Sequence, residues 1–193
     1  MAGKTTKPFI EKTEPSITTL SSREVYRNHW MRVREDRILR SNGQEGIYGV
    51  AEKSDGAIIL PLDGRKIWLV EQFRYPIGER AVELPQGSWE EKVGSPEDVA
   101  RGELREELGL EAERMTYLGW YWIAYGFLRQ RHHVFLAEGL TQVTATPDAE
   151  EHDLIARCFP IEQFERMLLD GGVRDGCTLS AWAYYQLWKK QRT

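Results

Sequence analysis

Apolar and polar residues alternate through "EVYRNHWMRVREDRILRSNG", with Val25, Trp30, Val33 and Ile38 as the apolar positions. The stretch ends on Asn42-Gly43, a turn dipeptide, so it predicts a hairpin or a small antiparallel sheet. "GIYGVAEK" and "GAIILPLD" follow as strands, and Asp63-Gly64 turns the chain into a further strand, "RKIWLVEQFRYP". Residues 24–75 are thus mostly β. "AVELPQGSWE" reads as a short strand entering a glycine loop. The period then becomes helical in "SPEDVARGELREELGL". Ser95 suits the N-cap, Pro96 the first turn, Glu97 and Asp98 the positive end of the dipole, and Gly109 the C′ position.

Beyond the helix, "MTYLGWYWIAY" and "RHHVFLAEGL" read as strands, "TQVTATPDAEEHD" as a polar loop and "LIARCFP" as a last strand. "IEQFERMLLDG" and "CTLSAWAYYQLWKKQ" read as two closing helices, with Phe164, Met167 and Leu168 on one face of the first. Strands, a helix, more strands and two helices predict an α+β fold, an α/β/α sandwich over a mixed sheet. The divisions expected are a polar arm over 1–22, an antiparallel β segment over 23–50 and a main domain over 51–193.

Composition narrows the function. With 41% hydrophobic residues the 193-residue chain can bury one core, and a net charge of −4 argues against a nucleic-acid coat or a membrane-surface binder. Small anionic substrates need only a local basic pocket and stay open. Two cysteines, Cys158 and Cys177, are too few for a disulfide framework, and no signal segment or membrane span is legible. The expectation is a cytoplasmic protein with reduced thiols.

Glu103, Glu106 and Glu107 stand at i, i+3 and i+4, within about a 100° arc of the helix. Ala100, Leu104 and Leu108 form the neighbouring apolar stripe, and Arg101 and Arg105 lie further round. The glutamates therefore sit at the edge of the buried face, where like charges repel. One reading is an acidic face neutralised by local arginines. The other is a hard divalent cation, Mg²⁺, which takes carboxylate oxygens and keeps other positions for water and phosphate; Mn²⁺ accepts the same donors.

The segment from Gly87 to Leu110 resembles the Nudix hydrolase box, G-x5-E-x7-R-E-U-x-E-E-x-G-U, with U a bulky apolar residue. Glu103, Leu104, Glu106, Glu107, Gly109 and Leu110 match its end in spacing. "VEQFRYP", "ELPQG" and "GFLRQRHHVFLAEGL" resemble the family's flanking strands, so the resemblance covers roughly residues 24–188. It departs at two places. Gly87 lies one residue too far from Glu103, and the family's first Glu and its Arg fall on Gly94 and Gly102. Losing both supporting side chains together is milder than leaving one charge unpaired.

The resemblance implies a Nudix fold with an N-terminal antiparallel β subdomain, and it narrows to the branch acting on ADP-ribose and nucleoside-diphosphate sugars. It implies metal on Glu103, Glu106 and Glu107, with the Gln86 carbonyl as a further ligand, and loss of hydrolysis on Glu107→Gln. Arg74 is the implied contact to the diphosphate; otherwise it is a surface strand charge. The implied general base falls at Glu150 or its neighbour Glu151, with His152 as another candidate. Arg129, Arg131, His132 and His133 make the following loop and strand basic, for substrate or as solvent-facing charge. The two histidines face opposite sides of their strand. Trp30, Trp89, Tyr121 and Trp122 stack a base or simply pack. A homodimer through the N-terminal β segment is implied as well. The alternatives are a Nudix hydrolase of NADH or a dinucleoside polyphosphate, and a module that binds a nucleotide sugar without cleaving it.

Overall fold

The computed structural model describes residues 15–88, 94–144 and 153–192. The chain divides into two compact units, Met1–Ala51 and Glu52–Thr193.

The first unit is a β-sheet of β1 (Ile17–Arg27), β2 (Arg32–Arg40) and β3 (Glu45–Glu52), in that order. β1 runs antiparallel to β2 from Ile17 opposite Arg40 to Arg27 opposite Arg32, with register shifts at Thr19/Ser21 and Glu24/Tyr26. Residues 17–22, expected to belong to a polar arm, are therefore strand: their β-branched residues pair along β2. Asn28 makes the first turn, its side-chain oxygen accepting from Trp30 N at 3.0 Å and Met31 N at 2.8 Å. Gly43 makes the second, at φ +82°.

The second unit holds β4 (Gly56–Asp63), β5 (Lys66–Arg74), β6 (Glu79–Glu83), β7 (Gln86–Ser88), β8 (Leu110–Trp122), the two-residue β9 (Leu128–Arg129), β10 (Arg131–Gln142) and β11 (Ile155–Pro160). Its helices are α1 (Pro96–Leu108), α2 (Ile161–Asp170) and α3 (Gly176–Lys190). The main sheet runs β11-β5-β4-β10-β8. β10 is parallel to β4 and antiparallel to β8, so the sheet is mixed. Ile58, Leu60, Val134 and Leu136 face α2 and α3, meeting Phe164 and Trp182. Ala57, Ile59, Phe135 and Ala137 face α1, meeting Ala100, Leu104 and Leu108. Alternate residues of one strand thus serve two cores, which is why "GAIIL" is apolar without a break. This is the expected α/β/α sandwich.

β8 begins at Leu110, five residues before the expected Met115. Gly109, at φ +61°, reverses the chain so sharply that Leu110 and Ala112 are already buried strand residues. β4 and β5 pair only at their hairpin, Leu62–Ile67 and Asp63–Lys66, and then splay. β7 pairs with β4 and β6 with β5 inside the splay.

Candidate active site

The glutamate turn is fixed from both ends of α1. Ser95 and Asp98 form a reciprocal capping box: Asp98 N donates to Ser95 Oγ at 3.3 Å and Ser95 N donates to Asp98 Oδ2 at 2.7 Å. At the other end Gly109 N donates to the Arg105 carbonyl at 2.9 Å. Between them the apolar stripe seats the helix and sets the glutamates at its margin. Glu107 is 4% exposed, and Glu103 and Glu106 are half-buried. Arg101 pairs with Glu97 and donates to the Ala112 carbonyl, while Arg105 pairs with Glu111. The helix's own arginines are thus spent on other partners.

The glutamates meet β7. A Cβ on Gly87 would lie 1.8 Å from Glu103 Oε1, so the carboxylate occupies the space of the missing side chain. Glu107 Oε2 accepts from Gln86 N at 3.2 Å. On the other side of Gln86, Glu83 is 3% exposed and accepts from Gln72 at 2.9 Å and from Arg74 Nε at 2.8 Å. Burial pushes the Glu83 carboxyl up from its ordinary value, against the pull of Arg74 and with Asp175 adding to the rise. Burial works against the Arg74 charge, but Glu83, with Glu107 and Asp175, more than offsets it, so the guanidinium pKa is raised. Its side chain remains 40% exposed, so a held cation faces solvent beside the glutamate turn.

The other expected residues have surroundings of their own. Arg131 is taken up by Asp55, through Nε at 2.9 Å and Nη2 at 2.5 Å, and stacks over Trp120 and Trp122. This is a structural employment that its place on the strand did not reveal. Arg129 is exposed on β9. Trp30 is an exposed residue of the first unit, edge-on to His29. His132 and His133 do face opposite ways: His132 is buried against Tyr121, and His133 bonds the Tyr117 hydroxyl at 3.1 Å. Tyr121 donates to the Cys177 carbonyl at 3.3 Å, a packing role. Trp89, Glu150, Glu151 and His152 lie outside the described residues. Asp153, where description resumes, accepts from Phe73 N at 3.0 Å and Arg80 at 2.9 Å, next to Arg74.

The carboxylates of one helix turn offer only hard oxygen donors, and Gly87 lets that of Glu103 lie directly against β7, beside Gln86; both fit a divalent cation such as Mg²⁺. Among the described residues, no three Asp, Glu, His or Cys side chains are already closed around a point. Gly102 leaves room, with nothing nearer its would-be Cβ than Glu106 Oε1 at 3.9 Å, whereas at Gly94 Asp98 Cβ stands at 3.0 Å. Sequence reasoning did not find Glu83, Gln72, Asp175 or Thr178. Glu83 stands in the "ELPQG" stretch, and "DGCT" carries an N-cap signal, but neither reveals a contact.

Residues 17–51 match the family model of the nucleoside diphosphate sugar hydrolase N-terminal domain, and residues 52–179 match the NUDIX domain. An ADP-ribose pyrophosphatase of Bacillus subtilis (strain 168) is 33% identical over 132 residues, 68% of this chain and 71% of that one. An ADP-ribose pyrophosphatase of Mycobacterium tuberculosis (strain ATCC 25618 / H37Rv) is 31% identical over 83% of this chain and 78% of its own length. A methanol dehydrogenase activator of Bacillus methanolicus is 26% identical over 94% of this chain and 95% of its own length. Among solved structures, an ADP compounds hydrolase superposes with a TM-score of 0.82 over 94% of this chain and 98% of that one, at 20% identity, a likeness of fold. With a NUDIX domain over 128 of its residues and the two ADP-ribose pyrophosphatases at 33% and 31% identity, the chain belongs to the Nudix hydrolases, in the branch that includes the ADP-ribose pyrophosphatases.

Proposed function

We propose that the protein hydrolyses the diphosphate of ADP-ribose or a related nucleoside-diphosphate sugar, releasing a nucleoside monophosphate and a sugar phosphate. The observation that carries this reading is the meeting at Gln86 of a buried glutamate from the box helix and a carboxylate-held arginine. Hydrolysis of a diphosphate needs negative charge neutralised at the phosphates and a proton taken from the attacking water. Arg74, raised in pKa and locked by Glu83, holds its charge at every working pH and bonds a phosphate oxygen without reorganising. Glu103, Glu106 and Glu107, with the Gln86 carbonyl, hold Mg²⁺, or Mn²⁺ in its place. The cation, when bound, neutralises charge on the diphosphate. Glu150 or Glu151 takes the water proton. The water oxygen bonds to one phosphorus, the bridging P–O bond breaks, and the second phosphate leaves as a monoester.

The protein works as a homodimer in which the first unit is the dimerisation element, and its two free thiols, Cys158 and Cys177, suit the reducing cytoplasm. Among the described residues no helix is long and apolar enough to cross a membrane.

The test is product chromatography after incubation with ADP-ribose, GDP-mannose, ADP-glucose, UDP-glucose, NADH or a dinucleoside polyphosphate, each with and without Mg²⁺. Metal-dependent monophosphate release from a sugar nucleotide, lost in Glu107→Gln, is the expected result. Turnover of NADH or the dinucleoside polyphosphate alone moves the protein to another substrate class, and binding without turnover makes it a non-catalytic module.

A further inference from the structure

The first turn of α3 reaches into the site. Asp175 is its N-cap, and capping accounts for part of what its carboxylate does: Oδ1 accepts from Cys177 N at 3.3 Å, and Oδ2 accepts from Thr178 N at 2.8 Å and Thr178 Oγ1 at 2.7 Å. Oδ2 also accepts from Gln86 Nε2 at 3.2 Å. That bond adds nothing to the cap, since it comes from a residue 89 positions away. Thr178, fully buried, turns its hydroxyl oxygen to Leu84 N at 2.9 Å. The start of α3 therefore grips Leu84 and Gln86, on both sides of Pro85.

Three successive residues are thereby fixed by three elements. Leu84 N goes to Thr178 of α3, the Pro85 carbonyl accepts from Ile59 N of β4 at 3.0 Å, and Gln86 N goes to Glu107 of α1. The Gln86 amide has two N–H groups, and both are used. One goes to Asp175, the other to Glu83 Oε2 at 3.3 Å. Glu83 in turn holds Arg74. Gln86 is thus the residue through which the metal-side glutamate, the phosphate-side arginine and the α3 cap are joined.

We propose that Asp175 is a positioning residue: acting through the Gln86 side chain, it sets the spacing between the Glu107 turn and the Arg74–Glu83 pair. The proposal rests on the hydrolase reading above. Its physical content is preorganisation. A phosphate bound by Arg74 and by a cation on the glutamates needs both held at once, and a shift of about 1 Å in such a frame costs on the order of a hundredfold in rate.

The experiment is a double-mutant cycle with Asp175→Ser and Gln86→Met. Serine still caps α3, but its shorter side chain does not reach Gln86. Methionine keeps the length of Gln86 and its backbone N–H to Glu107, and removes only the amide. Three quantities are read on each variant: kcat and KM on the best substrate, Mn²⁺ binding from the electron paramagnetic resonance signal of free Mn²⁺, and the thermal midpoint. Each single variant is expected to lose about tenfold in kcat or in Mn²⁺ affinity, with the midpoint nearly kept. The double variant is expected to be no worse than Gln86→Met alone, because Asp175 acts on the site only through the amide that this variant already lacks, while Gln86→Met also loses the bond to Glu83. Additive losses, or losses that follow the thermal midpoint alone, overturn the positioning role while leaving the hydrolase reading intact. A wild type that turns over nothing and binds no Mn²⁺ overturns both. A wild type that binds Mn²⁺ without turnover overturns the hydrolase reading alone, and the coupling is then read from binding.

Discussion

His132 is 6% exposed, and its Nδ1 has no hydrogen-bond partner among the described residues. Burial lowers its pKa from 6.5 to about 4, reinforced by Lys53 and His133 and opposed by Asp175 and Asp55. The folded imidazole is therefore neutral where the unfolded one is already protonated. As pH falls from about 6.5 toward 4, the unfolded chain binds a proton that the folded chain refuses, and stability falls by up to about 3 kcal/mol. Above pH 7 the contribution is flat. Urea unfolding at pH 7.5, 6 and 5 checks this: wild type should lose stability across the series relative to His132→Gln, and parallel curves would refute it. Gly87 leaves no room for a side chain. A methyl group there would sit 1.8 Å from Glu103 Oε1, so Gly87→Ala must displace the carboxylate or the strand. Hydrolysis is expected to fall about a hundredfold, as for other small misplacements of a reacting frame, and a Mg²⁺ titration of the rate should shift to higher concentration. An unchanged metal requirement would remove Glu103 from the ligand set.

Helix α1 carries a residue that its own stability does not favour. Gly102 costs up to about 1 kcal/mol against alanine in a helix interior, and a Cβ there meets nothing closer than 3.9 Å. Gly102→Ala should therefore raise the thermal midpoint by about 2–4 °C with kcat unchanged. A lowered midpoint would mean that the backbone at this turn needs glycine. Ser95→Ala should act in the opposite sense, losing about 1 kcal/mol with the capping box. The helix was fully legible because its signals are local: a cap, a proline, an apolar stripe and a terminal glycine all lie within 16 residues. The same holds for Glu103, Glu106 and Glu107, whose common face follows from helical spacing alone. What was not legible depends on distant pairs. The splay of β4 from β5 has no mark in either strand. Arg131 reads as a free cation until Asp55, 76 residues away, is placed beside it. Glu83, Gln86 and Asp175 join across up to 92 positions, and their residue types alone say nothing of it. The loop acids Glu150 and Glu151 rest on resemblance, since both lie outside the described residues.

For the molecule as a whole, the first unit sets an unfinished problem. A small sheet gains little by folding without something to cover it, yet all eleven residues of β1 are exposed. Ile17, Leu20, Val25 and Tyr26 on β1, and Ile47 and Tyr48 on β3, are exposed apolar side chains. Edge-to-edge pairing along β1 is hindered by Arg23, Glu24 and Arg27 and by its two register shifts. The homodimer proposed above would cover these side chains through a face, where a symmetric second copy brings the same residues. Light scattering should therefore return twice the 22.4 kDa chain mass at micromolar concentration. Leu20→Glu combined with Val25→Glu should bring it to one chain mass, because two carboxylates buried without partners cost several kcal/mol at such a contact. Far-ultraviolet circular dichroism on the same variant separates dissociation from unfolding. A wild type that stays monomeric up to about 100 μM, where contacts of roughly −5.5 kcal/mol would be half-formed, would leave the exposed face of β1 without the partner proposed for it.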